Sequence, residues 1–144
     1  TGDLYNERAM VKMDITNIEY SDGHFESIYC SHVLEHVIED RLAMREFFRV
    51  LDPKGWAILL VPIKNLKETY EDPTIVTPED RLKHFGKEDH VRRYAKKDYI
   101  ARLVEAGFNV EETTKDSLLS SEERTKFGLN KLGGRIFFCT KNAK

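Results

Sequence analysis

The stretch Phe47–Pro62, FFRVLDPKGWAILLVP, establishes the fold class. Its second half, Trp56–Val61, is apolar at every position, which is typical of a strand covered on both faces in a parallel sheet. The turn residues Asp52-Pro53-Lys54-Gly55 come immediately before it and mark the end of a helix. The stretch therefore predicts a helix, a tight turn and a buried strand in succession.

The residues on the N-terminal side extend this unit. The segment Glu26–Ser31 predicts a short buried strand, and Val11–Thr16 alternates weakly, as a further strand would. Between Leu34 and Leu51 apolar residues recur at helical spacing, with arginine and glutamate on the other face. The order up to the buried strand is thus strand, strand, helix, strand.

Residues 63–95 predict a long loop or cleft insertion. They are polar, contain Pro73 and Pro78, and offer one helix candidate, Pro78–His84. Connections of this length are usually functional or mobile.

The C-terminal part adds a helix and two strands. Lys97–Ala106 predicts an amphipathic helix ending at Gly107, with four apolar residues directed inward, namely Tyr99, Ile100, Leu103 and Val104. Phe108–Thr113 and Arg135–Thr140 predict strands without a helical crossover, joined by residues 114–134 as a polar, mobile linker. The whole chain is expected to be one α/β domain, a Rossmann-like, mostly parallel open sheet with an antiparallel last strand.

Composition excludes several classes of partner. A formal charge of −2 gives no global field for nucleic acid or an anionic membrane, and no apolar run reaches the length of a membrane span. The polar residues 1–8 do not resemble a signal peptide. Two cysteines in apolar runs, Cys30 and Cys139, favour buried thiols in a reducing compartment over a disulfide. A cytoplasmic location is expected.

Three stretches together resemble a known family. Asp14-Ile15, Ser21–Val37 and Phe47–Pro62 resemble the type 11 group of class I S-adenosylmethionine-dependent methyltransferases, and the resemblance covers nearly all of residues 1–113. Glu26 and Lys54 depart mildly from the family pattern. The resemblance implies S-adenosylmethionine as cofactor and a small molecule as methyl acceptor.

The family's glycine-rich motif has no counterpart in residues 1–144. The resemblance places Thr1 after the family's first strand, its Asp-x-Gly-x-Gly loop and its first helix, so the domain is expected to be truncated at its N-terminus. Weak or absent cofactor binding is expected to follow, because that loop lets the backbone approach the cofactor. A missing central strand would leave a gap or exposed edges, which predicts a homo-oligomer or strand exchange that covers it.

The cofactor residues implied by the resemblance follow the first strands. Asp3, with Leu4 after it, corresponds to the acidic residue that binds the ribose hydroxyls. Asp14 and Ile15 would address the adenine, and Ser31 and His32 the methionine end. A frayed terminal aspartate and an aspartate that caps a turn are the alternatives for Asp3 and Asp14.

Candidate substrate and catalytic residues lie in two places. Lys87–Tyr94 resembles a stretch that borders the family's substrate cleft, which implies substrate binding by His90, Arg92 and Tyr94. His36, His90 and Tyr94 are candidates for a general base. A solvated basic turn is an equally good interpretation of this stretch.

Two other functions remain open. One is a non-catalytic fragment or binding module with the same fold. The other is a zinc hydrolase, because His32-x-x-Glu35-His36 matches the zinc-binding pattern of inverted zinc proteases. That pattern needs both histidines on one helical face and a distant third ligand. The sequence offers no obvious third ligand, so no metal site is expected.

Overall fold

The computed structural model describes residues 1–126 and 134–141. Its strands are β1 Gly2–Asp3, β2 Val11–Lys12, β3 Phe25–Ser31, β4 Leu51–Leu60, β5 Ile63–Lys64, β6 Tyr70–Glu71, β7 Arg92–Ala95, β8 Phe108–Thr114 and β9 Arg135–Lys141. Its helices are α1 Asp40–Val50, α2 Pro78–Phe85, α3 Lys96–Glu105, α4 Lys115–Leu118 and α5 Ser121–Lys126, with a 3-10 turn at Leu34–His36. None of these helices is long and apolar enough to cross a membrane.

The central sheet has four strands in the order β3-β4-β9-β8. β3 and β4 are parallel, whereas β9 runs antiparallel to both β4 and β8. The antiparallel final pair predicted from the sequence is confirmed, and β9 inserts between β4 and β8. β4 therefore lies inside the sheet, but it is not covered on both faces as predicted, because Trp56 is 41% exposed.

The core fills one face of this sheet. Alternate strand residues are buried together with apolar residues of α1 and α3, among them Cys30, Leu59, Phe137, Cys139, Met44, Phe47, Tyr99 and Leu103. Both cysteines are buried free thiols. On the other face Tyr29 is 68% exposed and Trp56, also exposed, stacks on Phe138. The described helices thus leave part of an apolar sheet face open.

The predicted helix Leu34–Leu51 is wrong at its start. The chain forms a 3-10 turn at Leu34–His36, leaves Ile38 68% exposed, and begins α1 only at Asp40. The guanidinium of Arg92 donates hydrogen bonds to the carbonyls of Leu34, Val37 and Ile38. In a continuous helix these carbonyls would accept hydrogen bonds from backbone amides. Here they accept hydrogen bonds from Arg92 instead, and the first turns of the predicted helix do not form.

Two further element predictions need correction. The strand expected at Val11–Thr16 is limited to β2, because Asp14 accepts hydrogen bonds from the backbone and hydroxyl of Thr16 and turns the chain. On α3, Val104 is 54% exposed, and Arg102 takes a buried position instead.

β4 begins at Leu51, so the turn predicted at residues 52–55 lies inside the strand, and β3, predicted to be buried, buries only Cys30. The other helices and strands predicted from the sequence are present close to their expected bounds.

Glycine is required at two positions. A Cβ at Gly55, the last residue of the predicted turn and part of β4, would lie 2.6 Å from the carbonyl oxygen of Glu26 on the adjacent strand. A Cβ at Gly107 would lie 2.8 Å from the ring of Phe48, and its φ of +112° also disfavours other residues. Both positions let neighbouring elements pack at short range.

Residues 63–95 are more ordered than a loop. β5, β6 and β7 form a small sheet in the order β5-β7-β6, and α2 begins after Thr77, whose hydroxyl accepts a hydrogen bond from the Asp80 amide. Within the predicted linker 114–134 the structure has α4 and α5. Residues 127–133 of that linker lie outside the described residues.

β1 and β2 stand apart from the central sheet. They form their own parallel pair and have no ladder to β3. An open groove lies between this pair and β3. β1 and β3 each have an edge without a partner among the described residues.

Candidate functional site

The groove between β1–β2 and β3 is the candidate site. Its volume is about 1210 Å³. Parallel α/β sheets bind ligands outside the carboxyl ends of their strands, and the segments that follow β1, β2 and β3 all open onto this groove. All six predicted cofactor residues line it, namely Asp3, Leu4, Asp14, Ile15, Ser31 and His32.

The two aspartates are held by similar turns. Asp3 Oδ1 accepts hydrogen bonds from the amides of Tyr5 and Asn6, each at 2.8 Å. Asp14 Oδ1 accepts from the hydroxyl of Thr16 at 2.7 Å and from its amide at 2.8 Å. These hydrogen bonds lower the pKa of both carboxyl groups below the ordinary value, so both are ionised at neutral pH.

Turn formation and ligand binding are compatible at these positions. The turn role proposed as the alternative for Asp14 is observed, and Asp3 has the same role. In each case the hydrogen bonds among the described residues use Oδ1. Oδ2 of each carboxylate therefore stays available to accept hydrogen bonds from a ligand in the groove.

His32 marks the end of β3. Its φ of 56° is the one positive value outside glycine among the described residues. Its amide donates a hydrogen bond of 2.9 Å to the carbonyl oxygen of Leu60 and so continues the pairing of β3 with β4. Its side chain is exposed and lines the groove. Such backbone conformations cost free energy and are frequent at functional sites.

A second group of side chains lies at the end of the groove. Glu35, His36 and His90 each place one potential ligand atom within 4.8 Å of the others. The rings of His36 and His90 meet edge to face at 4.7 Å, and His36 Nδ1 lies 3.2 Å from both a carboxylate oxygen and the carbonyl oxygen of Asp89. Burial, and the neighbouring His36, lower the pKa of His90 below its ordinary value. His36 and Asp89 line the groove.

The proximity of Glu35 and His90 in the fold was not predicted from the sequence. Fifty-five residues separate them in sequence, and only the contact between the 3-10 turn and the segment before β7 joins them. The Val91 amide donates to the Glu35 carbonyl at 2.9 Å. No local sequence pattern signals such a pairing.

Arg92 and Tyr94 do not line the groove, which corrects their assignment to substrate binding. Arg92 is buried and donates to Glu71 and to three backbone carbonyls of residues 34–38. Tyr94 is fully buried, and its hydroxyl donates to Asp40 Oδ2 at 2.5 Å. Burial raises the pKa of Tyr94 far above its ordinary value, which also removes it as a candidate base. Both residues anchor the 63–95 insertion to the domain.

The zinc hydrolase geometry is absent from the described residues. His32 lies before the 3-10 turn in a left-handed conformation, so it shares no α-helical face with His36. The paired histidines that inverted zinc proteases require are therefore not formed.

Comparison with known proteins supports the resemblance stated from the sequence. Residues 3–59 match the family model of a methyltransferase domain. This segment includes the groove residues Asp3 and Asp14, the strand β3, the helix α1 and most of β4. The chain has a Rossmann-like methyltransferase fold.

Solved structures of S-adenosylmethionine-dependent methyltransferases match this fold over nearly the whole chain. A methyltransferase from Methanosarcina mazei has a TM-score of 0.57 and 15% identity, with 93% of this chain and 66% of that chain covered. The 1,6-didemethyltoxoflavin-N1-methyltransferase of Burkholderia thailandensis, with bound 1,6-didemethyltoxoflavin and S-adenosylhomocysteine, has a TM-score of 0.58 and 11% identity, with 92% and 50% covered.

The methyltransferase fold also occurs in a protein named for another reaction. The [4+2]-cyclase SpnF matches with a TM-score of 0.61 and 16% identity, with 93% of this chain and 58% of that chain covered. The chain thus spans between half and two thirds of the length of these three structures. No curated protein sequence matches the chain. The fold alone does not assign a reaction, because function depends on the site.

Proposed function

We propose that the chain is the part of an S-adenosylmethionine-dependent methyltransferase that holds the adenosine half of the cofactor, and that the acceptor is a small molecule. The observation that supports this most strongly is the convergence of Asp3, Asp14, Ile15 and Ser31 on one groove. These residues come from three different strand ends, and only the fold brings them together.

The residues present fit the nucleoside. Two ionised carboxylates are suitable acceptors for the ribose hydroxyls and for an adenine amino group. The half-buried side chain of Ile15 offers an apolar surface for the adenine ring, and the groove lining is mainly apolar. When bound, S-adenosylmethionine would supply an electrophilic methyl group, and the residues of the groove would bind and orient it.

The groove is too open for tight binding. Its volume of about 1210 Å³ exceeds the range of about 300–1,000 Å³ that is typical of small-molecule sites. Between β1 and β3 no described strand supplies backbone amides to the ligand. Residues 1–144 alone are therefore proposed to bind S-adenosylmethionine and S-adenosylhomocysteine weakly.

His36 is the proposed base or orienting group for the acceptor. It lines the groove, and its Nδ1 lies against Asp89, which would fix the ring and favour a proton on that nitrogen. His90 is buried behind it and does not line the groove. His90 is proposed to act on the acceptor only through His36.

A variant pair tests the cofactor site. Asp14→Asn removes the charge of a groove carboxylate, and Asp72→Asn is its matched control. Asp72 makes the same turn, because its Oδ1 accepts from the amide and hydroxyl of Thr74 at 2.9 and 2.7 Å, but it does not line the groove. Titration of S-adenosylhomocysteine by ligand-observed NMR should show at least fivefold weaker binding for Asp14→Asn only. Equal affinities in both variants would contradict the proposed site.

The alternative is a non-catalytic binding module. The open groove and the unpaired edges of β1 and β3 favour it. The same titration separates the two ideas, because a module without cofactor affinity shows no saturable binding of S-adenosylhomocysteine even at millimolar concentration.

A further inference from the structure

We propose that Glu35, His36 and His90 form a binding site for one divalent transition-metal ion. The site lies at the end of the groove and does not depend on the proposed methyl transfer. A bound ion would take the Nε2 lone pair that His36 needs as a base, so His36 would then keep only its orienting role. Two imidazoles with one carboxylate are a donor set suited to zinc, iron or cobalt rather than to magnesium or calcium.

The distances between the donors suit a metal ion. One potential ligand atom of each residue lies within 4.8 Å of the other two, and His36 Nε2 is 4.0 Å from Glu35 Oε1. Metal–ligand bonds of about 2.0–2.2 Å place neighbouring donors roughly 3–4 Å apart. Small side-chain rotations are therefore enough to close the donors around an ion.

Glu35 carries the strongest indication that something is bound. Its side chain is only 2% exposed, and its Oε2 atom has no hydrogen-bond partner among the described residues. An unpartnered buried carboxylate oxygen is costly, since it has lost its water and gained nothing in exchange. A cation bound by both carboxylate oxygens of Glu35, with Oε1 as the oxygen near His36, would satisfy Oε2 as well.

The orientation of His36 is that of a metal ligand. Its Nδ1 lies 3.2 Å from the carbonyl oxygen of Asp89 and 3.2 Å from a carboxylate oxygen of the same residue. A proton on Nδ1 leaves the lone pair on Nε2, the nitrogen nearer to Glu35. Metal-binding histidines commonly donate their other ring N–H to a carboxylate or a backbone carbonyl.

An open coordination position would face the groove. The side chain of His36 is 30% exposed and lines the groove, while Glu35 and His90 are buried behind it. His32 is a further donor beside the cluster, because its Nδ1 lies 3.2 Å from Glu35 Oε1. The ion would thus have three protein ligands and one position for water, His32 or a small molecule in the groove.

The test uses metal ions as probes of the whole chain after treatment with a chelator. Co²⁺ should bind with a stoichiometry of one and give visible d–d absorption bands, Zn²⁺ should displace it, and either ion should raise the melting temperature. Glu35→Gln and His90→Gln should each weaken Co²⁺ binding at least tenfold. His24→Gln is the matched control, because His24 packs on Tyr20 and Phe25 outside the cluster.

A substitution at an exposed residue provides a second test, because the variants at the buried residues Glu35 and His90 could lose their fold. Asp89 is exposed, so Asp89→Ala should leave the fold intact, and it should weaken Co²⁺ binding less than Glu35→Gln does, because the carbonyl of residue 89 still accepts from His36 Nδ1. Circular dichroism checks the fold of every variant. Absence of one-to-one Co²⁺ binding to the wild-type chain, or equal affinity in folded His90→Gln and His24→Gln, would overturn the proposal.

Discussion

The hydroxyl of Tyr94 donates a hydrogen bond of 2.5 Å to the buried carboxylate of Asp40. Asp40 also accepts from Arg102 at 2.6 Å, and Arg102 pairs with Glu71 at 2.6 Å. This buried network joins the first turn of α1, the small sheet of the insertion and α3. It holds the insertion in place, and with it the segment that carries His90.

Tyr94→Phe should destabilise the protein by about 1–3 kcal/mol, because it leaves the buried Asp40 carboxylate with one fewer donor. Urea unfolding at neutral pH measures the change. Tyr70→Phe is the control, since the Tyr70 hydroxyl contacts His84 at an exposed position, and it should cost much less. Equal losses in the two variants would show that the Asp40 network does not support the fold as described.

Glu71 should make the protein sensitive to acid. Burial acts to raise the pKa of its carboxyl group, but hydrogen bonds from Arg102 and Arg92 outweigh it, and the pKa falls below the ordinary value of 4.5. A lowered pKa in the folded state stabilises the protein above about pH 4.5, and this stabilisation disappears as the pH falls through the folded pKa. Glu71→Gln should therefore lose less of its free energy of unfolding below pH 4.5 than the wild type.

Urea unfolding at several values between neutral pH and pH 3 tests this. Glu79→Gln, in the exposed first turn of α2, removes a carboxylate without touching either arginine and should keep the wild-type slope. A Glu71→Gln variant with the wild-type acid sensitivity would mean that the ion pairs of Glu71 do not couple proton binding to folding.

Gly55→Ala should destabilise the protein by about 1–3 kcal/mol, because the new Cβ overlaps the carbonyl oxygen of Glu26. Thermal and urea unfolding measure the loss. Gly134→Ala is the matched control, since its Cβ would meet no atom of the described residues within 4 Å, and it should leave stability almost unchanged. A neutral Gly55→Ala would mean that β3 and β4 can separate at this position without cost.

The chain should self-associate through β3. This strand has no partner on its groove side among the described residues, and exposed strand edges pair with other chains. The His32 amide points to β4, so alternation along the strand directs the Tyr29 amide to the groove side. Tyr29→Pro removes that amide N–H, whereas Tyr29→Thr removes the aromatic ring and keeps the amide N–H.

Light scattering coupled to size-exclusion chromatography tests this at several concentrations. Wild type and Tyr29→Thr should form dimers or larger species as concentration rises, and Tyr29→Pro should form fewer of them. A wild-type chain that stays monomeric at about 100 μM, where edge pairing should be measurable, would contradict the expectation of an oligomer.

The strands of the central sheet and the ends of α2 and α3 were predictable because their signals are local, whereas the short strands within residues 63–95 were not predicted. The apolar run at Trp56–Val61, the turn glycines and the proline at the start of α2 each act within a few residues. The false helix start at Leu34 shows the limit of such signals. Arg92, far along the chain, takes the carbonyls that the helix would have used, and no periodicity reveals a competitor at that distance.

The residues of the candidate site differ in the same way: some were indicated by the sequence, and others are brought together only by tertiary packing. The family resemblance indicated Asp3, Asp14, Ile15 and Ser31, and each lies in the last position of a strand or within three residues after one, where strand ends meet at one edge of a sheet. Arg92 and Tyr94 were misassigned because their sequence context does not distinguish a groove residue from a buried anchor. The pairing of Glu35 with His90 required the three-dimensional structure, because only tertiary packing joins the two segments.

The most direct test of the proposed site is a titration of the ¹⁵N-labelled chain with S-adenosylhomocysteine, followed by heteronuclear NMR. We expect the amide shifts to change around Asp3, Asp14, Ile15 and Ser31, with a dissociation constant above about 100 μM, equivalent to less than about 5.5 kcal/mol of binding free energy. Shift changes outside the groove, or none at millimolar ligand, would contradict the location of the cofactor site. A low-micromolar dissociation constant would contradict the claim that these residues hold only half of that site.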